Sequence, residues 1–328
     1  MGVTPLKTYK RFFAALLCVL SVVSFSSTRA FAAGRIDTGH EVSLTISYQN
    51  EKTPLTGVKF DIYLVATVNE YGEITVTDDF KQFNVNIEGE NDEAWNTLAS
   101  TLEGYVLWSG IKPADSGITD KQGIVLFPNK SETLKQGLYL VIAENHTQGG
   151  YIYEAVPFMV MLPSLDKEAN DWNYDVEAYP KHNSKTLGPI VVGLSRKVLK
   201  VWDDDGHKNE RPKEITVCLL RDGKVYSTVV LNESNNWKYT WNDLDSTYKW
   251  NVVEKDPGDY KVTVTQEGVT FVITNTYNGN SLSSPDNPSD SKLPQTGQLW
   301  WPVPVLVMIG LALIIFGLFR RKGAGYEK

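Results

Sequence analysis

Short runs in which apolar and polar residues alternate are the feature that most restricts the fold of this 328-residue chain. In residues 171–178, Trp172, Tyr174, Val176 and Ala178 fall on one side, and four polar residues fall on the other. A period of two places successive side chains on opposite faces of a strand. Similar runs recur along the chain, separated by Asn, Asp and Gly, and they predict an all-β protein.

One segment departs from this pattern and predicts a short helical insertion. Residues 91–108 carry apolar side chains at helical spacing, and we expect this helix to cover an edge or end of the first sandwich. The apolar residues are Trp95, Leu98, Ala99, Leu102 and Val106. The alternation restarts after KHNSKTLGPI, which places a domain boundary near residues 183–192. The sequence therefore predicts two tandem β-sandwich domains, at residues 38–182 and 192–277.

The N-terminal residues predict secretion. Three basic residues precede the apolar run FFAALLCVLSVVSF, and a small-x-small cleavage pattern ends at Ala32. Residues 1–32 are therefore interpreted as a signal peptide. Its removal leaves Cys218 as the one cysteine, so the mature chain can form no disulfide framework. Any covalent stapling must use other chemistry.

The C-terminal residues predict a membrane span. Residues 299–319 are apolar and uncharged, and the basic tail 320–328 follows. About 20 apolar residues cross a bilayer as a helix, with the basic flank on the cytoplasmic side. The preceding segment 278–298 is polar apart from a short motif, and we expect it to form a flexible stalk.

That motif lies directly before the span and resembles the cell-wall sorting signal of Gram-positive surface proteins. Its residues are Leu293, Pro294, Gln295, Thr296 and Gly297. The resemblance implies that a sortase, a membrane-bound cysteine transpeptidase, cuts between Thr296 and Gly297. It then holds the Thr296 carbonyl as a thioester and passes it to an amine. The precursor would be bound to the membrane transiently, and the product would be attached covalently to the cell wall.

Net charge limits the partners of the processed chain. The whole chain carries −7; the signal peptide holds four basic residues, and residues 297–328 hold a net of three positive charges. The remaining piece carries −14. This acidity argues against nucleic acid or anionic lipid as a partner.

Three polar residues lie on apolar faces in the second domain. Lys200 alternates with apolar neighbours in the first strand, Glu254 ends an apolar stripe, and Asn275 lies within another. Burying an unpaired charge costs several kcal/mol, so these groups must pair or be neutral. One reading is a buried ion pair. The other is a neutral amine that attacks the Asn275 carboxamide while Glu254 shuttles protons, leaving an isopeptide bond.

The second domain resembles the Cna-B domain of Gram-positive adhesins and pilins over roughly residues 196–277. The likeness is carried by KVWDDDGHKNERP, ITVCLLRDGK, NWKYTWNDL and ITNTY. It implies an immunoglobulin-like sandwich in which Lys200 and Asn275 form a self-catalysed cross-link with Glu254 as the catalytic acid.

The first domain resembles the N-terminal domain of major, or backbone, pilin subunits, through TPLTGVKFDIYLVA, GLYLVIAE, YEAVPFMVMLP and WNYDVEAYPK. It includes residues that match the pilin motif W-x-x-x-V-x-x-Y-P-K. These are Trp172, Val176, Tyr179, Pro180 and Lys181. The resemblance implies that Lys181 attacks the thioester of an identical subunit, so a pilin-specific sortase builds a covalent shaft. Accessory pilins and peptidoglycan are further implied partners, and Lys185 is the rival nucleophile.

The first domain departs from relatives that carry their own cross-link. Tyr48 takes the inward place of an amine, so Glu144 is expected to be an acid without its amine. We therefore expect no isopeptide bond in this domain.

Other features predict no additional site. The run DDDG at 203–206 is interpreted as a solvated loop, because it lacks the ligand pattern of a calcium loop. The four histidines are scattered, so we expect no metal and no cofactor. Cys218 is expected to be inert. No enzyme activity is predicted beyond the internal bond. The alternative function is a wall-anchored adhesin, or a basal or accessory pilin that is not itself polymerised.

Overall fold

The computed structural model describes residues 34–89, 91–166, 168–188 and 192–277. The predicted signal peptide (1–32), stalk and LPQTG motif (278–298, including Thr296), apolar span (299–319) and basic tail (320–328) lie outside these ranges. Within the described ranges, no helix is both long and apolar enough to cross a membrane.

Strands make up most of the described chain. Those of the first domain are β1 (Ser43–Ser47), β2 (Gln49–Asn50), β3 (Thr53–Pro54), β4 (Lys59–Val68), β5 (Ile74–Val76), β6 (Asp115–Ile118), β7 (Ile124–Phe127), β8 (Gly137–Ala143), β9 (His146–Gln148), β10 (Tyr151–Ala155), β11 (Phe158–Leu162), β12 (Ser164–Asp166), β13 (Asp171–Asn173), β14 (Asp175–Ala178) and β15 (His182–Thr186). Those of the second are β16 (Val192–Asp203), β17 (Glu214–Arg221), β18 (Lys224–Asn232), β19 (Lys238–Asp245), β20 (Trp250–Lys255), β21 (Tyr260–Glu267) and β22 (Thr270–Tyr277).

The strands form immunoglobulin-like sandwiches, which confirms the all-β prediction. In the first domain the main sheet has the order β11-β8-β4-β5, with β6 also paired to β4, and a second sheet has the order β14-β1-β7. Smaller sheets are β15-β10-β9, β12-β13 and β2-β3. In the second domain the sheets are β19-β16-β22-β21 and β18-β17-β20.

Helices are few. The short α1 spans Asp78–Lys81, the long α2 spans Asp92–Ser109, and 3₁₀ turns lie at Lys208–Glu210 and Glu233–Asn235. The Asn91 side chain caps α2 by accepting a hydrogen bond from the Ala94 N–H. Gly110 ends α2 in the left-handed conformation that favours glycine, with φ 72°. The helix predicted over 91–108 is confirmed.

The 171–178 run forms two strands and not one. β13 pairs antiparallel with β12, whereas β14 pairs parallel with β1, with Val176 opposite Leu44. The break follows from a local turn, because Asn173 Oδ1 accepts a hydrogen bond from the Asp175 N–H at 3.0 Å. Tyr174, Val176 and Ala178 still contact one core, so the predicted face is correct.

Helix α2 packs against both sandwiches, which the sequence did not indicate. A hydrophobic cluster joins Leu102 and other helix residues to β4 and β8 on one side, and to Cys218, Leu220 and Val253 on the other. The helix therefore covers a face of the first sandwich and also the β17–β20 sheet of the second. β17 is accordingly buried on both faces from Val217 to Leu220.

Polar groups lie within the same interface. Lys249 Nζ contacts Glu103 Oε1 at 2.6 Å, and Asn251 Nδ2 donates to Glu103 Oε2 at 3.1 Å. The Glu103 side chain is 3% exposed. A buried carboxylate needs such partners, since leaving it unpaired costs several kcal/mol. The paired Glu103 helps to fix the position of the second domain on α2.

Leu102→Ala tests this interface. Leu102 is fully buried in the cluster between the sandwiches, so its truncation should lower the free energy of unfolding by about 2–5 kcal/mol. Chemical denaturation measures the loss. Leu126→Ala is the control, because Leu126 is 51% exposed and its change should stay within about 0.5 kcal/mol. Equal losses in the two variants would contradict the placement of Leu102.

Candidate functional site

Three strands bring the predicted polar residues together inside the second sandwich. β16 and β22 run parallel in one sheet, with Lys200 opposite Ile273 and Trp202 opposite Asn275. Glu254 projects from β20 in the facing sheet. The side chains of Lys200 and Glu254 are 0% exposed, and Asn275 is equally buried. The inward orientations expected from periodicity are those that the structure has.

The Glu254 carboxyl lies between the amine and the carboxamide. Asn275 Nδ2 donates to Glu254 Oε1 at 2.8 Å, and Lys200 Nζ lies 3.9 Å from Glu254 Oε2. Lys200 Nζ also donates to the Val201 carbonyl oxygen at 2.8 Å. Within the described chain, Glu254 Oε2 and Asn275 Oδ1 are buried without a hydrogen-bond partner. One carboxyl therefore contacts both prospective reactants.

Burial favours the uncharged forms of both ionisable groups. It lowers the pKa of the Lys200 amine, against the attraction of the Glu254 carboxyl. It raises the pKa of the Glu254 carboxyl, against the attraction of Lys200 and the Asn275 hydrogen bond. Desolvation penalises the charged state of each group, which explains the opposite directions. A neutral amine beside a protonated acid can undertake acyl transfer.

An aromatic residue closes the site beside the amine. Lys200 Nζ lies 4.0 Å from the centroid of the Trp202 ring. Trp202 in turn packs edge-on against Trp237 and Tyr260, with centroids 5.2 and 5.1 Å away. These rings exclude water from the amine. The sequence shows Trp202 on the same face as Lys200, but periodicity alone does not indicate this contact.

DDDG is exposed at Asp203, Asp205 and Gly206, as expected for a solvated loop, but Asp204 departs from that interpretation. Asp204 is 6% exposed and forms a two-pronged pair with Arg211, in which Nη2 donates to Oδ1 at 2.6 Å. That hydrogen bonding lowers the pKa of the Asp204 carboxyl. The Arg211 guanidinium also lies 5.5 Å from the Trp202 ring. The loop is thus tied to the end of the buried site, a role that sequence reasoning missed.

The pilin-motif residues have separate structural roles. Trp172 Nε1 donates to the Gly34 carbonyl oxygen at 2.7 Å, and Val176 is buried in the core of the first sandwich. Tyr179 is 66% exposed, and its hydroxyl donates to Glu177 Oε2 at 2.6 Å. Trp172 and Val176 therefore hold the strand that leads to the exposed end of the motif.

Lys181 lies in the break between β14, which ends at Ala178, and β15, which begins at His182. Its carbonyl oxygen accepts a hydrogen bond from the Val156 N–H at 2.9 Å, so the backbone is held. Its side chain is exposed, and no salt bridge or hydrogen bond involves its Nζ within the described residues. The rival Lys185 differs, because its Nζ donates to the Ser246 carbonyl oxygen at 2.6 Å.

The first domain has no comparable buried trio at the positions considered. Tyr48 is buried as expected, and its hydroxyl has no hydrogen-bond partner among the described residues. The expectation that Glu144 lacks an amine is wrong. The Glu144 side chain points away from the core into solvent and is 65% exposed. There it contacts Lys59 Nζ at 2.9 Å.

Comparison with known proteins places two families along the chain. Residues 25–183 match the Gram-positive pilin subunit D1, N-terminal domain, and residues 196–276 match the Cna protein B-type domain. A collagen adhesin of Staphylococcus aureus is 28% identical over 196 residues, or 57% of this chain. The match spans only 16% of that adhesin.

Solved structures of similar proteins include pilins and repeat units. The major pilin SpaD of Corynebacterium diphtheriae is 16% identical, with 74% of this chain and 65% of that one covered and a TM-score of 0.29. The major pilin SpaA of the same organism is 16% identical, with coverages of 78% and 66% and a TM-score of 0.26. One B repeat unit of the S. aureus collagen-binding surface protein is 19% identical, with coverages of 73% and 99% and a TM-score of 0.25.

Amine accessibility can be tested by brief acylation and peptide mass spectrometry. Lys181 should be modified several-fold faster than Lys185, because only the Lys185 amine is engaged, by the Ser246 carbonyl oxygen. Lys200 should remain unmodified in the folded protein because its side chain is fully buried. Equal rates at Lys181 and Lys185 would show that the Ser246 contact does not restrain Lys185 in solution.

Proposed function

We propose that this chain is a Gram-positive pilin subunit that forms the covalent shaft of a pilus. In this proposal a pilin-specific sortase joins the Thr296 carbonyl of one subunit to Lys181 of the next. The observation that carries it is the exposed, unengaged amine of Lys181, at the end of a motif in which Trp172 and Val176 are held by the first sandwich.

The backbone around Lys181 suits an enzyme cleft. Pro180 has no N–H to give to a sheet, and β14 ends two residues before it. The segment from Tyr179 to Lys181 thus lies between strands β14 and β15 and belongs to neither. The hydrogen bond from the Val156 N–H to the Lys181 carbonyl oxygen restricts its movement. A segment that is already held loses less conformational entropy when it enters a cleft.

The proposed transfer of the Thr296 carbonyl to Lys181 needs no reactant other than the two subunits and the sortase. The Lys181 amine attacks the Thr296 carbonyl carbon held as a thioester; an amide bond forms, the carbon–sulfur bond breaks, and the proton lost by the nitrogen restores the enzyme thiol. Each subunit then offers an amine and an acyl group at separate places in its sequence. Such a head-to-tail contact extends a filament and does not close a dimer.

The buried trio supports a second covalent bond, within each subunit. Neutral Lys200 Nζ attacks Asn275 Cγ, the new Nζ–Cγ bond forms as the Cγ–Nδ2 bond breaks, and ammonia leaves. Glu254 contacts Nδ2 at 2.8 Å, so it can give a proton to the departing nitrogen and take one from Nζ. The bond would tie β16 to β22, the first and last strands of the second sandwich.

Wall attachment and partners follow from the same proposal. Pilins and the collagen adhesin are surface proteins of Gram-positive bacteria, and this chain would reach that surface and become linked to peptidoglycan through Thr296. Identical subunits and accessory pilins would be its covalent partners. The internal bond is a single-turnover maturation step, so the protein would act as a sortase substrate that supports adhesion and not as an enzyme.

Intact mass tests the internal bond. The wild type should lack the mass of one ammonia relative to its processed sequence, and Glu254→Gln should restore that mass because the proton carrier is lost. The change preserves side-chain size, so folding can be checked independently by circular dichroism. A wild type with the full sequence mass would reject the bond and leave a buried ion pair as the interpretation of Lys200 and Glu254.

Lys181→Ala tests polymerisation. The high-mass ladder of cell-wall extracts on a denaturing gel should disappear, while the monomer should still be secreted and linked to the wall through Thr296. Lys185→Ala is the matched control and should keep the ladder. If the ladder persists without Lys181, the chain is not polymerised at this residue, and the wall-anchored adhesin or accessory pilin becomes the better interpretation.

A further inference from the structure

The second sandwich has four edge strands, and two of them, β20 and β21, face the first domain. β20 is the last strand of one sheet, and β21 is the last strand of the other. An edge strand presents unpaired backbone groups and gives water a route to the core. Because Glu254 lies on β20, whether this edge is covered decides whether water can approach the buried Lys200, Glu254 and Asn275.

The first domain supplies hydrogen-bond acceptors to the β21 edge. Thr101 Oγ1 accepts from the Val264 N–H of β21 at 2.9 Å. The Asn84 carbonyl oxygen accepts from the Val262 N–H of the same strand at 2.7 Å. Both contacts are typical of a sheet edge that a neighbouring element has covered.

A further hydrogen bond from the first domain reaches β20, at the acid residue itself. The Tyr105 hydroxyl of α2 donates to the backbone carbonyl oxygen of Glu254 at 3.1 Å. Tyr105 is 3% exposed and stacks on Phe83, with ring centroids 4.9 Å apart. The donor is therefore held firmly by the first domain.

The helix approaches β20 closely because of a glycine. A Cβ at Gly104 would lie 3.1 Å from the Val252 carbonyl oxygen and 3.2 Å from Val253 Cγ1. Glycine inside a helix is less favourable than alanine, so its presence in α2 has a local cost. The close approach to β20 offsets that cost, and Val253 is buried beneath the helix as a result.

We propose that helix α2 of the first domain completes the isopeptide site of the second, with Tyr105 as a positioning residue for Glu254. The Lys200–Asn275 bond then forms efficiently only after the two domains have docked. This inference rests on the proposed internal bond. Its consequence is an order of maturation, in which the first domain folds and docks before the second is locked.

The test follows bond formation in the full-length chain by intact mass at intervals after a pulse of synthesis. Tyr105→Phe removes only the hydroxyl donor, and it should slow the loss of ammonia by about five- to tenfold, as expected for one lost buried hydrogen bond. Tyr139→Phe is the matched control. Its buried hydroxyl also donates to a backbone oxygen, that of Lys135 at 2.6 Å, but within the first domain.

Gly104→Ala separates positioning from stability. Alanine favours the helix itself, yet its Cβ would press on the Val252 carbonyl oxygen, so the bond should again form more slowly than in the wild type. Wild-type rates in both Tyr105→Phe and Gly104→Ala would overturn the inference, as would equal slowing in Tyr139→Phe. A wild type that never loses ammonia would instead reject the proposed bond.

Discussion

The burial of one amine, Lys200, between two sheets is the constraint on which the second domain depends. A charged amine cannot remain in such a place without compensation, because its desolvation costs several kcal/mol. The Glu254 carboxyl, the Val201 carbonyl oxygen and the Trp202 ring surround it. This surrounding structure holds the amine in place and favours its neutral, nucleophilic form. The same burial makes the group unavailable to any other protein.

The two lysines with proposed covalent roles differ in environment and not in chemistry. Lys200 is enclosed, so it can react only with a group of its own domain. Lys181 is exposed at a strand end, so it can react only with a partner that is brought to it. In the proposed function, burial would assign one amine to internal cross-linking and the other to polymerisation, so the two reactions would not compete.

Helix α2 contacts both domains of the molecule. It packs on the sheet of the first sandwich and on the β17–β20 sheet of the second, through a hydrophobic cluster and the Glu103–Lys249 pair. Gly104 permits the close approach, and Tyr105 reaches the strand that carries Glu254. A force or a mutation that separates the domains would therefore also expose an edge of the reactive site.

The sequence by itself determined the all-β class, the helix, the inward faces of Lys200, Glu254 and Asn275, and the motif ending in Lys181. Periodicity carries this information because it states which face of a strand a side chain occupies. Only the tertiary structure decided which faces meet, since that depends on sheet order and on packing between residues far apart in the chain. The contacts of Glu254 with both partners, the docking of α2, the Asp204–Arg211 pair and the outward turn of Glu144 all arose at that level.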